Sequence, residues 1–438
     1  MSRVRMPAMR ILVVSLLFLI HFVRGGVAED LQGHWSGAIL LHGVSWPVEL
    51  DVASEDSKSA MLSIPSLGMI SNPINLANNS TDETTASFPF GIGELVLKSN
   101  DGVIVSHRKL TSGRRITLLL ERIENYQLPY VQNEVEIPNG KIRLKGTTFI
   151  PKNLDGPVPG IVILHGSGPT GRESWEYRSW ADFFARRGMA VLIYDKRPFE
   201  DVYPDLDDLA DDADSVFAWF QNQSEIDSDR VGFFGGSQAG WLASKVASQT
   251  ESNVAFIVMS GWPSVTPAEQ EMHSIESKLR SVDLTSAEVD EAIAYLRLYF
   301  YVGSTSRLWQ QLEAAAEVAA KQKWGKWVPL PTKPSDLDWW HRNHGFPTRQ
   351  HLRNVSCPVL ACYGEKDPTV PPSRNSQRLA DLLSSGGNVD VTISVFDQAN
   401  HRIEVPMIIN DKQVQWPQLS PDYLKQIESW LAKRGFIK

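Results

Sequence analysis

"VGFFGGSQAG", residues 231–240, leaves a short apolar run through two glycines, a serine, an alanine and another glycine. The run reads as a buried strand, and "AGWLASKVASQ" behind it reads as a helix. An ordinary turn accounts for the glycines but not for the whole arrangement. A serine set between strand and helix needs small residues two places before and two places after it. The backbone then reverses without side-chain clashes, and the hydroxyl projects above the sheet at a helix N-terminus. Gly235, Ser237 and Ala239 meet those demands, with Gly240 following.

The texture around this stretch is repetitive. Short apolar runs recur at 161–164 ("IVIL"), 190–194 ("AVLIY"), 254–259 ("VAFIVM"), 359–363 ("VLACY") and 391–396 ("VTISVF"). Runs that are apolar throughout suit parallel strands buried on both faces. Helical stretches such as "SWADFFARRG" and "DLADDADSVFAWFQNQ" separate them, which predicts an α/β sheet covered by helices on both faces. The rhythm breaks once, between "VAFIVM" and "VLACY". The intervening stretch reads as several helices and carries Trp262, Trp309, Trp324, Trp327, Trp339 and Trp340. An aromatic-rich insertion there, taken as 262–350, reads as a lid whose tryptophans wall an acyl pocket.

Residues 29–125 read as a small antiparallel β-domain. "WPVELDVA" places Val48, Leu50 and Val52 on one face, and Asn100-Asp101-Gly102 marks a hairpin. "NPINLANNSTDETTA" (72–86) reads as a polar loop. A second hairpin signal, Pro138-Asn139-Gly140, opens the α/β region, taken as 126–438. The first 28 residues carry Arg3, Arg5 and Arg10, an apolar run of about 13 residues, and small residues at Gly26–Ala28. They read as an export signal, implying a periplasmic or secreted protein without stable membrane insertion after cleavage. The net charge is −8, and a leader containing four arginines would leave the remainder more acidic still, which excludes nucleic acid as a natural partner. Nothing in the pattern sets an oligomeric state. The two cysteines, Cys357 and Cys362, lie on one extended run of about 16 Å. A disulfide needs Cα atoms within about 7 Å, so both read as free buried thiols.

A serine hydroxyl attacks carbonyls only when a base takes its proton, and the base needs a carboxylate to hold its tautomer. Chains of this rhythm supply these groups in the order serine, acid, histidine. "VLACYGEKDPTVPP" places Asp367 just past a strand, and "VTISVFDQANHRIEV" places His401 just past the next. Glu365 competes for the acid role, and Asp397 more weakly. Upstream, "IVILHGSGPTGRE" leaves a strand through His165-Gly166-Ser167-Gly168, a loop able to aim amide groups at a developing oxyanion. The motif's mechanics assign those donors to the N–H of Gln238 and of Ser167, and leave His165 a structural residue. "HRNH" (341–344) and the acids of 200–214 lack a nameable ligand geometry, so neither a metal nor an organic cofactor is expected.

The ordered set "HGSGPTGRE", "YDKR", "EIDSDRVGFFGGSQAG", "GEKDPTVPP" and "ANH" resembles the α/β-hydrolase superfamily over about residues 130–438. It looks most like exported bacterial acyl-ester hydrolases and serine peptidase-like relatives with an extra N-terminal β-domain. Three places depart from the usual pattern: Ala239 replaces a glycine, Pro198 follows "YDKR" where relatives usually have glycine, and "GFP" at 345–347 stands where an Asp-Pro often precedes the acid strand. The resemblance implies a serine hydrolase acting on a small-molecule acyl substrate. Ester hydrolysis is the leading reading and an aminopeptidase-like activity the alternative, with Glu269, Glu271 or the acids of 201–208 available to grip an ammonium group.

Overall fold

Alternation along the chain builds the first sheet. The computed structural model describes residues 31–437 apart from 42–43, 54–57, 68, 81–82, 90, 111–112, 200–202, 250–252 and 410–411; the leader-like residues 1–28 lie outside the described residues. Nine strands come first: β1 (Gly33–Leu41), β2 (Val44–Val52), β3 (Ser59–Ile64), β4 (Met69–Ser80), β5 (Glu83–Phe88), β6 (Gly93–Leu97), β7 (Ser99–Asn100), β8 (Val103–Lys109) and β9 (Arg115–Ile123). They form one antiparallel sheet in the order β6-β5-β4-β3-β2-β1-β9-β8-β7. In β2, Trp46, Val48, Leu50 and Val52 all turn inward, as period-two patterning requires. They join Trp35, Ile39, Leu62 and Leu118 in a core of their own. At the β7–β8 hairpin, Asp101 (φ +51°) and Gly102 (φ +74°) both adopt the left-handed backbone that a two-residue type I′ turn needs.

One expectation fails here. The stretch 72–86 is not a loop: β4 and β5 run through it, paired Leu76 to Ala86. Ile74, Leu76 and Ala86 alternate into the core, and the asparagines and threonines between them hid that pattern. "VAFIVM" is a smaller correction, because its strand begins only at Ile257.

The second sheet contains β10 (Tyr130–Asn139), β11 (Ile142–Pro151), β12 (Val158–Ile163), β13 (Ala190–Tyr194), β14 (Ile226–Gly236), β15 (Ile257–Ser260), β16 (Val359–Gly364) and β17 (Val391–Phe396). Its order is β10-β11-β13-β12-β14-β15-β16-β17. The two pairings involving β11 are antiparallel and the rest parallel. A hairpin not foreseen from the sequence, β18 (Glu404–Ile409) and β19 (Lys412–Leu419), follows. The helices are α1 (Trp175–Ala185), α2 (Leu206–Gln221), α3 (Ala239–Ala247), α4 (Pro267–Ser281), α5 (Ser286–Thr305), α6 (Trp309–Ala319), α7 (Asp338–Asn343), α8 (Thr348–Asn354), α9 (Pro372–Ser385) and α10 (Pro421–Lys433).

The apolar runs divide between two faces. Val191, Ile193, Phe234, Val258 and Leu360 pack against Phe184 of α1 and Ile427 of α10. Leu192, Phe233, Ile257 and Ala361 pack on the other face against residues of α2, α3 and α9. The insertion, α4 to α8, leaves after β15 and returns before β16. Its helices are set by capping boxes at Thr266 and Thr285 and hold a separate core around Leu279, Leu296, Tyr299 and Trp324. From β12 the chain passes to β13 on one side, then to β14 on the other. That reversal opens a crevice beyond the strands' C-terminal ends, where ligands of open α/β sheets bind.

Arg197, of the "YDKR" stretch, ties this sheet to α2. Its Nε and Nη2 donate to Asp212 at 2.8 and 2.9 Å, and the Asp212 side chain is 1% exposed. Removing one partner of a buried pair leaves the other charge uncompensated. Arg197→Met should therefore cost about 3–5 kcal/mol in chemical denaturation, and substituting both residues by apolar ones should cost much less.

Candidate active site

The turn quoted first is the tightest point of the fold. Ser237 joins β14 to α3 with φ +56°, a left-handed conformation uncommon for a residue with a side chain. Its N–H donates to the Ser260 carbonyl at 2.9 Å, which holds the turn against β15. The small neighbours have specific reasons. A Cβ on Gly235 would lie 2.7 Å from the Ala239 Cβ and 2.9 Å from the Leu164 carbonyl oxygen. A Cβ on Gly240 would lie 2.2 Å from the Trp262 ring. Two glycines and an alanine are thus the space that three converging segments leave.

Asp367 and His401 come together beyond the ends of β16 and β17. The carboxylate Oδ1 accepts from the N–H groups of Thr369 and Val370 at 2.8 and 2.9 Å, and Oδ2 accepts from His401 Nδ1 at 2.7 Å. The Asp367 side chain is wholly buried. With Nδ1–H given to the carboxylate, Nε2 is left as a proton acceptor. Gly261 (φ +53°) passes behind the imidazole, and a Cβ there would lie 2.9 Å from His401 Cε1. The competing acids lie elsewhere. Glu365 is exposed and accepts from the Gln398 N–H at 3.0 Å, which lowers its pKa. Asp397 is exposed and accepts from the Gln398 side chain. Ser237 and His401 line one cleft without a direct hydrogen bond among the described residues; such contacts commonly tighten only when substrate is bound.

The loop after β12 forms the third side. The backbone N–H groups of Ser167 and Gln238 have no partner among the described residues. What shapes the loop is Lys196, which the sequence reading left without a role. Its ammonium donates to the carbonyls of Gly166 (2.7 Å) and Gly168 and to the Tyr203 hydroxyl (2.6 Å). Tyr203 in turn accepts from the Gln238 side chain at 3.4 Å. Burial draws the Lys196 pKa down to about 8, so the amine still carries its proton at neutral pH. His165 is buried and donates from Nε2 to the Tyr194 carbonyl. Burial lowers its pKa to about 3, which makes it a neutral anchor for the loop rather than a base.

The cleft beside Ser237 has a volume of about 560 Å³. Its apolar walls include Trp180 and Phe183 of α1, Phe234 of β14, Leu424 of α10, and Leu67 and Ile70 from the N-terminal β-domain. No residue of the insertion lines it, which corrects the expectation for Trp339 and Trp340. The Trp339 indole donates to the Pro204 carbonyl at 3.0 Å, and Trp340 packs edge-on against Phe300 at 4.9 Å. Trp309, Trp324, Trp327 and Trp340 pack in the insertion's own core, whereas Trp262 and Trp339 pack on the core of the α/β sheet.

The remaining candidates have local partners. His341 is bonded to the Ser306 hydroxyl and His344 to the Trp340 carbonyl. Asp205 pairs with Arg342, Asp207 with Lys245, and Asp208 with Arg197. Among the described residues no three metal-binding side chains gather. Cys357 and Cys362 are free thiols whose pKa values burial raises, that of Cys357 to about 12.

Two outcomes test this geometry. Gly240→Ala forces a methyl group into the Trp262 ring and should lower stability by about 1–3 kcal/mol in urea denaturation. Lys196 gives a pH signature. Between about pH 8 and its ordinary value of 10.5, the unfolded chain keeps a proton that the folded protein has released, so this group's contribution to stability rises with pH. Melting curves at about pH 7.5 and about pH 9.5 should show wild type gaining on Lys196→Met at the higher pH.

The alpha/beta hydrolase family pattern matches residues 161–412. The chain is 27% identical over 277 residues to Esterase EstD of Thermotoga maritima, a match that covers 59% of this chain and 57% of that relative's length. Among solved structures it is similar to a dienelactone hydrolase of Anabaena variabilis (15% identity, TM-score 0.41, covering 71% of this chain and all of that one). It is also similar to a thermophilic esterase of Thermogutta terrifontis (16% identity, TM-score 0.43, covering 70% and 95%). With the family pattern spanning the sheet from β12 through β17, this chain belongs to the alpha/beta hydrolase family.

Proposed function

We propose that this protein is a serine hydrolase that cleaves carboxylic esters through Ser237, His401 and Asp367. The observation that carries the reading is the 2.7 Å bond that Nδ1 of His401, which lines the same cleft as Ser237, donates to the buried Asp367 carboxylate. Ser237 Oγ attacks the acyl carbonyl while His401 Nε2 takes its proton, and Asp367 stabilises the resulting imidazolium. The oxyanion accepts from the N–H groups of Gln238 and Ser167. His401 then gives its proton to the departing alcohol, leaving an acyl-serine. Water, deprotonated by the same imidazole, releases the acid.

The esterase name of the Thermotoga relative supports an ester rather than a peptide substrate. So does the state of the acids that an aminopeptidase would need. Glu269 is held in the capping box of α4, and Asp205, Asp207 and Asp208 are in ion pairs, while Asp201 lies outside the described residues. Glu271 is exposed and lines no part of the cleft. Export is part of the proposal and rests on the composition of residues 1–28; the N-terminal sequence of the native protein tests it.

Activity on p-nitrophenyl butyrate tests the chemistry. Ser237→Ala should lose at least about 10³-fold in kcat and all fluorophosphonate labelling. Asp367→Asn should lose about 10⁴-fold, because His401 is left in the wrong tautomer, whereas Glu365→Gln should change little. Labelling that persists in the Ser237 variant would reassign the nucleophile, and the reverse ranking of the two acids would reassign the third member.

A further inference from the structure

The N-terminal β-domain carries no catalytic group, yet it reaches the cleft. Leu67, on the turn between β3 and β4, and Ile70, in β4, line the same cavity as Ser237 and His401. The domain is held there by specific contacts. Glu49 of β2 pairs with Arg186, just past α1, at 3.5 Å. Trp175, at the start of α1, packs against the β-domain's core. The cavity is therefore closed on one side by a segment that lies more than a hundred residues before the catalytic serine.

The charged groups around this cavity are already engaged with one another. Arg186 also bonds Asp182 at 2.8 Å, and Asp182 accepts from the Tyr130 hydroxyl at 2.6 Å. Arg402 pairs with Glu176 at 2.9 Å and Glu404 at 3.4 Å, and its guanidinium lies 5.0 Å from the centre of the Trp175 ring. Arg187 lies over the Phe183 ring at 3.7 Å and reaches Glu428 at 3.5 Å. Among the described residues that line the cavity, each charged side chain has a partner of opposite charge. Between these pairs the wall is Leu67, Ile70, Trp180, Phe183, Phe234 and Leu424. At about 560 Å³ the space fits a medium-sized organic group.

We propose that the N-terminal β-domain is a wall of the substrate site, with Leu67 and Ile70 setting how long an uncharged, apolar arm of the ester the cleft accepts. This rests on the esterase reading and adds the substrate class to it. The arm belongs either to the acyl group or to the alcohol, so two substrate series are needed: p-nitrophenyl esters of lengthening acyl chains, and acetate esters of lengthening alcohols.

The experiment measures kcat/KM for both series in wild type, Leu67→Trp, Leu67→Ala and Ile70→Ala, with melting temperature and fluorophosphonate labelling of Ser237 as controls. Filling the cleft with Trp should lower kcat/KM for the longest members of one series by tenfold or more and leave the shortest nearly unchanged. The alanine variants should shift the preference the opposite way. The series that responds identifies the arm. Because the prediction is a change of preference with opposite signs, a general loss from poor folding does not imitate it. Unchanged length preference in all three variants, with Ser237 still labelled and wild type active, overturns the wall while leaving the esterase reading intact. Wild type that hydrolyses neither series and resists labelling overturns the esterase reading itself. A strong preference for succinyl monoesters over neutral esters of equal length would overturn the apolar assignment.

Discussion

A left-handed serine between a parallel strand and a helix constrains everything near it. At φ +56° the chain turns so sharply that strand β14, helix α3 and the segment after β15 converge on Gly235, Ala239 and Gly240. Conformations of this kind cost of order 1–3 kcal/mol and persist only where the surroundings over-determine them. Here the surroundings are the Ser260 carbonyl, the Leu164 carbonyl and the Trp262 ring. The same convergence aims the serine at the point where the sheet order reverses and a crevice must open.

Around that point the site is assembled from pieces that each need support. Asp367 is fixed by two backbone amides and so can fix His401. The loop carrying Ser167 has glycines on both sides and would be loose by itself. Lys196 gathers two of its carbonyls, and Tyr203 links that gathering to Gln238. A buried lysine is costly because burial disfavours its charge. Its three acceptors do not cancel that cost, since the pKa stays lowered, but they hold the loop in one shape, with the amides of Ser167 and Gln238 without a partner among the described residues.

The cleft joins the two sheets functionally. One wall comes from the helices that cover the α/β sheet and another from the β-domain; the Glu49–Arg186 pair links the two, and the Arg402–Glu176 pair lies beside it at the rim. The paired charges lie at the rim, and the interior wall between them is apolar.

Much of this was legible in the sequence because it depends on local periodicity or chain order. Runs such as "AVLIY" are apolar throughout because both faces of β13 are covered, and Asp101-Gly102 turns where backbone chemistry demands it. The order of Ser237, Asp367 and His401 follows from a sheet that delivers successive loops to one edge. The strands through 72–86 were hidden because polar residues outnumber the few that turn inward. Other features were decided only in three dimensions. Glu365 and Asp367 are two residues apart, and only the fold turns one toward His401 and the other toward Gln398. The tryptophans of the insertion read as pocket walls, yet Trp309, Trp324, Trp327 and Trp340 pack in the insertion's own core, and Trp262 and Trp339 pack on the core of the α/β sheet. Leu67 and Ile70 had no local signal at all. Their place beside the cleft comes from how one sheet docks on another, and that contact between distant parts of the chain has no period, spacing or motif through which a sequence could announce it.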